Sequence, residues 1–312
     1  MKYNSIIILG PTGSGKTNLS LELAKLLNGE IINADSMQIY KYLNIGTAKA
    51  TKEEQTVVKH HLIDIVDPKD SFCVSDFKTL ALTKINELLS QNKMPIIVGG
   101  TGFYIQSLLT NFTYGDYKDE DYREYLLDLV KKNGNNHVYN MLKDIDPETA
   151  SLLHENDVKR VIRALEIFKV TGKTKSEIVR QDSETQSCND NILKPFIIGL
   201  TCDRESLYER INKRVDIMVN EGLLNEIEWC LKYGLNQSHQ SMGGIGYKEL
   251  FPYFNGVASL DSCLELIKQH TRNYAKRQLT WFNKMQNINW FDILKLSKEQ
   301  IIEKVVNEIK KS

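Results

Sequence analysis

The chain opens on an unbroken apolar run, Ser5–Leu9, the pattern of a strand buried on both faces. A glycine-rich turn follows. Leucines at 19, 23, 26 and 27 then share one face of a helix over Lys16–Leu27. Glu30–Ala34 predicts a second strand, Phe77–Leu89 a helix, and Pro95–Val98 a third strand that starts on its proline. Apolar runs alternating with amphipathic stretches call for a parallel sheet covered by helices. From Asn111 to about Asn191 the pattern changes to helices and polar connections, with an acidic stretch at Asp116–Asp128 and a polar loop at Gln181–Asn191. Pro195–Leu200 then returns as a strand that must rejoin the earlier sheet. Helices follow around Arg204–Tyr233, Leu260–Met285 and Lys298–Lys310. The expected fold is α/β: a parallel-sheet core with helices on both faces, formed by residues 1–112 and 194–312. A mostly helical insertion, residues 113–193, interrupts it.

Composition narrows the class. Of 312 residues, 41% are hydrophobic and 26% charged, which excludes a disordered or fibrous chain. No apolar run approaches the roughly 20 residues that span a bilayer, and Ile6–Leu9 is too short for a signal peptide. The five cysteines (73, 188, 202, 230 and 263) form no CxxC pair and suit a reducing compartment. The expectation is a cytoplasmic monomer. Forty basic residues balance forty acidic ones, so any attraction to nucleic acid must come from a local face.

The turn after the first strand carries the chemistry. Gly10-Pro11-Thr12-Gly13-Ser14-Gly15-Lys16-Thr17 fits G-x-x-x-x-G-K-[ST] between a strand and a helix. Such a loop curls backbone N–H groups around phosphate oxygens, Lys16 adds a point charge, and the Thr17 hydroxyl suits Mg²⁺. The third strand runs into Gly99-Gly100-Thr101-Gly102 without the strand-end carboxylate by which phosphoryl-transfer enzymes hold Mg²⁺. The acid expected at a strand exit is Asp35. It reads as a general base, a metal carboxylate or a helix N-cap. Ligands bind beyond the carboxyl ends of parallel strands, so Asp35 and Thr101 should converge on the phosphate loop.

Basic residues cluster late. No acid lies between Leu266 and Phe291, while Lys268, Arg272 and Lys276 fall at i, i+4 and i+8 among Tyr274, Trp281 and Phe282. Basic residues mixed with aromatics can hold a phosphate backbone and stack bases; a solvated helix face is the alternative. Arg210 and Arg214 repeat the i, i+4 spacing, with Glu209 and Asp216 as possible partners. Lys159, Arg160 and Arg163 form a third cluster. His60-His61, at a strand edge, lack a third ligand and read as structural. On the residues alone, a small-molecule kinase and a nucleotide-gated RNA-binding module remain open.

Eight ordered motifs extend the reading. After the phosphate loop come Ala-Asp-Ser-Met-Gln-Ile-Tyr (34–40), Gly-Thr-Ala-Lys (46–49), His-His-Leu (60–62) and Val-Gly-Gly-Thr-Gly-Phe-Tyr (98–104). Arg-Ala-Leu-Glu (163–166), Gly-Tyr-Lys-Glu (246–249) and Tyr-Ala-Lys-Arg-Gln-Leu-Thr-Trp-Phe (274–282) complete them. Together they resemble the bacterial tRNA dimethylallyltransferases over nearly the whole chain, departing at Ala50, where that family usually has proline. The resemblance implies dimethylallyl diphosphate in the phosphate loop, with Mg²⁺ at Thr17, and tRNA as acceptor. It implies Asp35 as the base for the adenine amine, Thr101 as its positioner, and Lys16 and Arg214 as stabilisers of the leaving diphosphate. It further implies tRNA contacts from Asp35, Ser36, Met37, Gln38, Thr101 and Arg123. Others would come from Lys159, Arg160, Val161, Ile162 and Arg163, and from Met242, Gly243, Gly244, Ile245, Gly246 and Tyr247. Arg272 and Lys276 join them as the basic face.

Overall fold

A computed structural model describes residues 2–110, 117, 119–185 and 193–311. Two compact units are present, one formed by Met1–Leu109 with Asn191–Ser312, the other by Thr110–Asp190.

The first half of the larger unit comprises β1 (Ser5–Leu9), α1 (Lys16–Leu26), β2 (Gly29–Asn33), α2 (Lys52–Val57), β3 (His60–His61), α3 (Val74–Ser90), β4 (Met94–Gly99) and α4 (Gly102–Leu109). The smaller unit holds α5 (Glu120–Asn133), α6 (Asn135–Ile145), α7 (Pro147–Ser151), α8 (Val158–Thr171) and α9 (Lys175–Thr185). The larger unit resumes with β5 (Pro195–Thr201), α10 (Arg204–Asn220), α11 (Leu223–Lys232), α12 (Phe251–Phe254), α13 (Leu260–Phe282), β6 (Ile288–Asp292) and α14 (Lys298–Lys310).

The six strands pair in parallel, in the order β3-β2-β4-β1-β5-β6. The apolar run of β1 is explained by its place between β4 and β5. Ile7 and Leu9 face one hydrophobic layer, with Phe77, Ile105 and Phe282, while Ile6 and Ile8 face another, with Leu23, Ile301 and Val305. Helices therefore cover both faces. Parallel strands also bring the exits of β1, β2 and β4 to one edge.

Three expectations change. The sheet gains β3, only two residues long, and β6, whose Asn289 and Trp290 are exposed, so neither leaves an apolar run. Helix α9 continues through Thr185 into the stretch expected as a polar loop. A reciprocal cap starts it, in which Thr174 N donates to Glu177 Oε2 and Glu177 N donates to Thr174 Oγ1. The rest of that stretch, 186–191, lies outside the described residues, as do 116 and 118 of the acidic stretch. Finally, Asp35 shares the strand exits with two other acids. Asp203 caps α10 by accepting from Ser206 N, and Asp292 ends β6 and accepts from Leu294 N.

The smaller unit packs around Leu126, Val138, Leu142, Val161, Ile162 and Leu165. An ion pair on a buried carboxylate holds it: the half-exposed Arg123 donates from Nε and Nη2 to the two oxygens of the fully buried Glu166, at 2.9 and 2.7 Å.

Candidate active site

The phosphate loop leaves the middle of the sheet and enters α1 with its first-turn N–H groups unpaired by any side-chain cap. Gly13 and Gly15 hold φ of +81° and +85°, a left-handed backbone that a side chain would strain. Two long-range contacts fix the loop. Gln278 of α13 accepts from Thr12 N (3.0 Å) and donates to Gly100 O (2.8 Å), tying the loop to the exit of β4. Arg210 Nε donates to Gly13 O (2.8 Å). Asp216, one of the possible partners of these arginines, binds Lys268 at 2.9 Å.

Lys16 Nζ donates to Gly10 O (3.0 Å) and Pro11 O (2.8 Å), folded over its own loop. Burial and the nearby Arg214 push its pKa down to about 7, against the pull of Asp35. Burial also lowers Arg214, with Asp35 again opposing. The three groups thus share one field, and a bound polyanion would relieve the crowding of the two cations. Ser14 Oγ is buried without a hydrogen-bond partner among the described residues. Thr17 stands exposed at the start of α1.

Opposite the loop, the exits of β2 and β4 interlock. Ser36 N donates to Thr101 Oγ1 (3.0 Å), and Thr101 N donates to Ala34 O. Asp35 Oδ1 accepts from Met37 N (2.9 Å), closing a turn rather than capping a helix, so the N-cap reading falls. Asp35 lines a cavity of about 420 Å³ together with Lys16, Thr17, Arg214 and Tyr274. That volume suits a small-molecule site. Burial, reinforced by Asp35, drives the Tyr274 phenol upward, so it stays protonated and can donate.

The expected acceptor-side residues divide. Ser36, Met37, Gln38, Gly243, Gly244, Ile245 and Gly246 line the same cavity. Met242 and Tyr247 are each only 1% exposed, so their side chains support the wall and do not face it. Val161 and Ile162 belong to the insertion's core, and Arg123, its side chain 38% exposed, is engaged by Glu166. Arg163 Nη1 donates to Tyr117 O. Lys159 and Arg160 remain exposed. On α13, Lys268 pairs with Asp216 and Glu265, Arg272 donates to Asn212 Oδ1 (2.7 Å), and Lys276 is exposed.

Sequence reasoning missed Gln278 and the loop-binding role of Arg210. A signal existed for the first: Gln278 is polar yet sits on the buried stripe of α13 with Ile267, Ala275 and Phe282. Arg210 had none, because its partner is a backbone carbonyl far away in sequence. His61 contacts Glu30, while His60 contacts Val58 O and lines the same cavity as Asp35.

Comparison with known proteins identifies the family. The family model described as IPP transferase matches residues 38–285. A tRNA dimethylallyltransferase of Acetivibrio thermocellus is 47% identical over 308 residues, covering 98% of this chain and 96% of the relative. The crystal structure of a Bacillus halodurans tRNA isopentenylpyrophosphate transferase matches with 42% identity and a TM-score of 0.72, covering 98% of this chain and 96% of the other. A eukaryotic dimethylallyltransferase acting on tRNA matches with 33% identity and a TM-score of 0.81, over 97% of this chain and 77% of that one. By the family match over residues 38–285 and by its near-full-length likeness to the Acetivibrio enzyme, this chain belongs to the IPP transferase family.

Proposed function

We propose that this protein is a tRNA dimethylallyltransferase: it moves a dimethylallyl group from dimethylallyl diphosphate to the exocyclic N6 amine of the adenosine 3′-adjacent to the anticodon. The observation that carries this reading is a carboxylate, Asp35, lining one cavity with a cationic phosphate loop, on a turn whose next residue, Ser36, donates to the Thr101 hydroxyl. A polyphosphate in the loop meets Lys16, Arg214 and the free N–H groups of α1. In the reaction the amine nitrogen bonds to the allylic carbon, whose bond to the diphosphate oxygen breaks. Asp35 takes the amine proton, and Lys16 and Arg214 balance the charge that grows on the leaving group. The target base must leave its stack to reach a carboxylate set in a cavity.

Mg²⁺ fits the donor set. No cluster of three His, Cys, Asp or Glu residues is present among the described residues, and the Thr17 hydroxyl stands beside the loop. That suits an ion held mainly by substrate phosphate oxygens and water. When bound, it would supply further neutralisation of the diphosphate. No described helix is long and apolar enough to cross a membrane, and we place the reaction in the cytoplasm with the tRNA substrate.

The test is direct. Labelled dimethylallyl diphosphate and, separately, ATP are incubated with and without unmodified tRNA. Label in tRNA supports the transferase. ATP turnover without RNA would establish a kinase, and tRNA binding without transfer a module of another kind.

Two further outcomes are expected. Replacing Arg272 and Lys276 with Ala should weaken tRNA binding while donor binding persists. The slope of log K against log salt should fall by about 0.7–0.9 for each phosphate no longer neutralised. An unchanged slope would return this helix face to solvent. The second concerns pH. Lys16 titrates near 7 in the free loop, and a bound diphosphate holds it protonated, so binding above that pH takes up a proton. Donor affinity should be flat below pH 7 and fall above it, by up to tenfold per unit, until the bound-state pKa is reached. Calorimetry in two buffers of different ionisation heat measures that uptake.

A further inference from the structure

The loop that follows the Asp35 turn is held from behind by a single carboxylate. Glu226 of α11 accepts four hydrogen bonds: from Asn44 N (2.7 Å) and Ile45 N (2.8 Å) on Oε2, and from Gly46 N (3.0 Å) and the Tyr247 hydroxyl (2.6 Å) on Oε1. Three successive backbone N–H groups converging on one carboxylate fix the path of the chain there. Packing reinforces them. A Cβ at Gly46 would lie 2.5 Å from the Tyr247 ring, so only glycine lets the loop and the ring meet.

What the loop does next reaches the cavity. The carbonyls of Thr47 and Ala48 accept from Gln38 Nε2, at 3.2 and 3.3 Å. Gln38 lies three residues beyond Asp35 and lines the cavity, as do Gly46, Thr47 and Ala48. The chain of contacts is therefore continuous: Glu226 holds residues 44–46, that loop holds the Gln38 amide, and Gln38 stands beside Asp35. The phosphate loop has separate supports, Gln278 and Arg210.

We infer that Glu226 is a positioning residue for the acceptor side of the site: through the 44–48 loop it sets the Gln38 amide where the target nucleotide docks. This rests on the tRNA-transferase reading above. Its effect belongs to tRNA and not to the prenyl donor, because the two walls of the cavity are braced independently.

The test uses the full chain with Glu226→Ala, Glu226→Gln and Tyr247→Phe, measuring KM for unmodified tRNA, KM for dimethylallyl diphosphate, and kcat. Glu226→Ala should raise KM for tRNA by about tenfold or more, the loss of one to two charge-assisted bonds' worth of affinity. Glu226→Gln keeps an oxygen for Asn44 and Ile45 but turns an N–H₂ group toward Gly46 N, so its effect should be smaller. Tyr247→Phe removes one donor only and should act least. KM for dimethylallyl diphosphate should stay within about twofold throughout. Should Glu226→Ala fail to fold, the two milder variants carry the comparison. A donor KM rising in step with that for tRNA would overturn the inference, as would a tRNA KM equal to wild type in both milder variants. Absence of prenyl transfer by the wild-type protein would instead defeat the functional reading itself, so the two failures are distinguishable.

Discussion

Asp35→Ala should lower kcat by about 10²–10⁴ while KM for dimethylallyl diphosphate changes little. An adenine exocyclic amine is a poor nucleophile because its lone pair is delocalised into the ring. Removing its proton during attack restores nucleophilicity, and Asp35 is the carboxylate lining the cavity that also holds the phosphate loop. Asp203 and Asp292 also end strands, but both are taken up by capping and turn bonds. Asp35 itself closes the turn to Met37 N through Oδ1, so alanine removes a structural bond as well as a base. Asp35→Asn separates the two roles: an amide oxygen can still accept from Met37, but it cannot take a proton. A loss of similar size in both variants assigns the effect to proton transfer. If Asp35 instead binds Mg²⁺, the variants should show weak donor use that recovers at high Mg²⁺. Full recovery would sink the general-base role.

How much of this was legible in the sequence depends on how local each feature is. The phosphate loop, Asp35 and Thr101 sit within a few residues of buried strands, and their spacing alone places them at one sheet edge. Strand β6 escaped notice, and β3 was legible only as a strand edge at His60-His61, because edge pairing needs no apolar run; β6 contributes one buried residue, Phe291. The supports of the site are harder to read. Gln278 meets Thr12 across 266 positions, and Glu226 meets Asn44 across 182. These partners are backbone N–H groups, which leave no side chain to search for; Glu226 has one side-chain donor besides, the Tyr247 hydroxyl. The insertion shows the reverse error. Lys159-Arg160-Val161-Ile162-Arg163 reads as one basic stretch, yet the helical period turns Val161 and Ile162 into the core and leaves Lys159 and Arg160 outward. Arg123, equally basic on paper, belongs to a buried carboxylate.

The electrostatics of the free site lead to the remaining large effect. Lys16 and Arg214 crowd one another beside Asp35, and burial pushes Lys16 down to about 7. Lys16→Ala should reduce kcat/KM for dimethylallyl diphosphate by about 10²–10³, the scale expected when one donor to a developing oxyanion is removed. Both binding and rate should suffer, since the ammonium acts on the bound diphosphate and more strongly as charge builds on the leaving oxygen. The backbone cradle survives, so residual activity should remain, without the decline in donor affinity above pH 7. Stability should move in a linked way. Between about pH 7 and the unfolded-state value of 10.5, the unfolded chain binds a proton at Lys16 that the folded protein has released. Wild-type stability without ligand therefore gains from this group as pH rises through that window, and Lys16→Ala abolishes the gain. Thermal unfolding of both proteins at about pH 6.5 and 9.5 measures it: the difference in Tm should shift in favour of wild type at the higher pH. A difference independent of pH would mean that Lys16 keeps its ordinary pKa in the free loop, and the pH dependence of donor binding would fall with it.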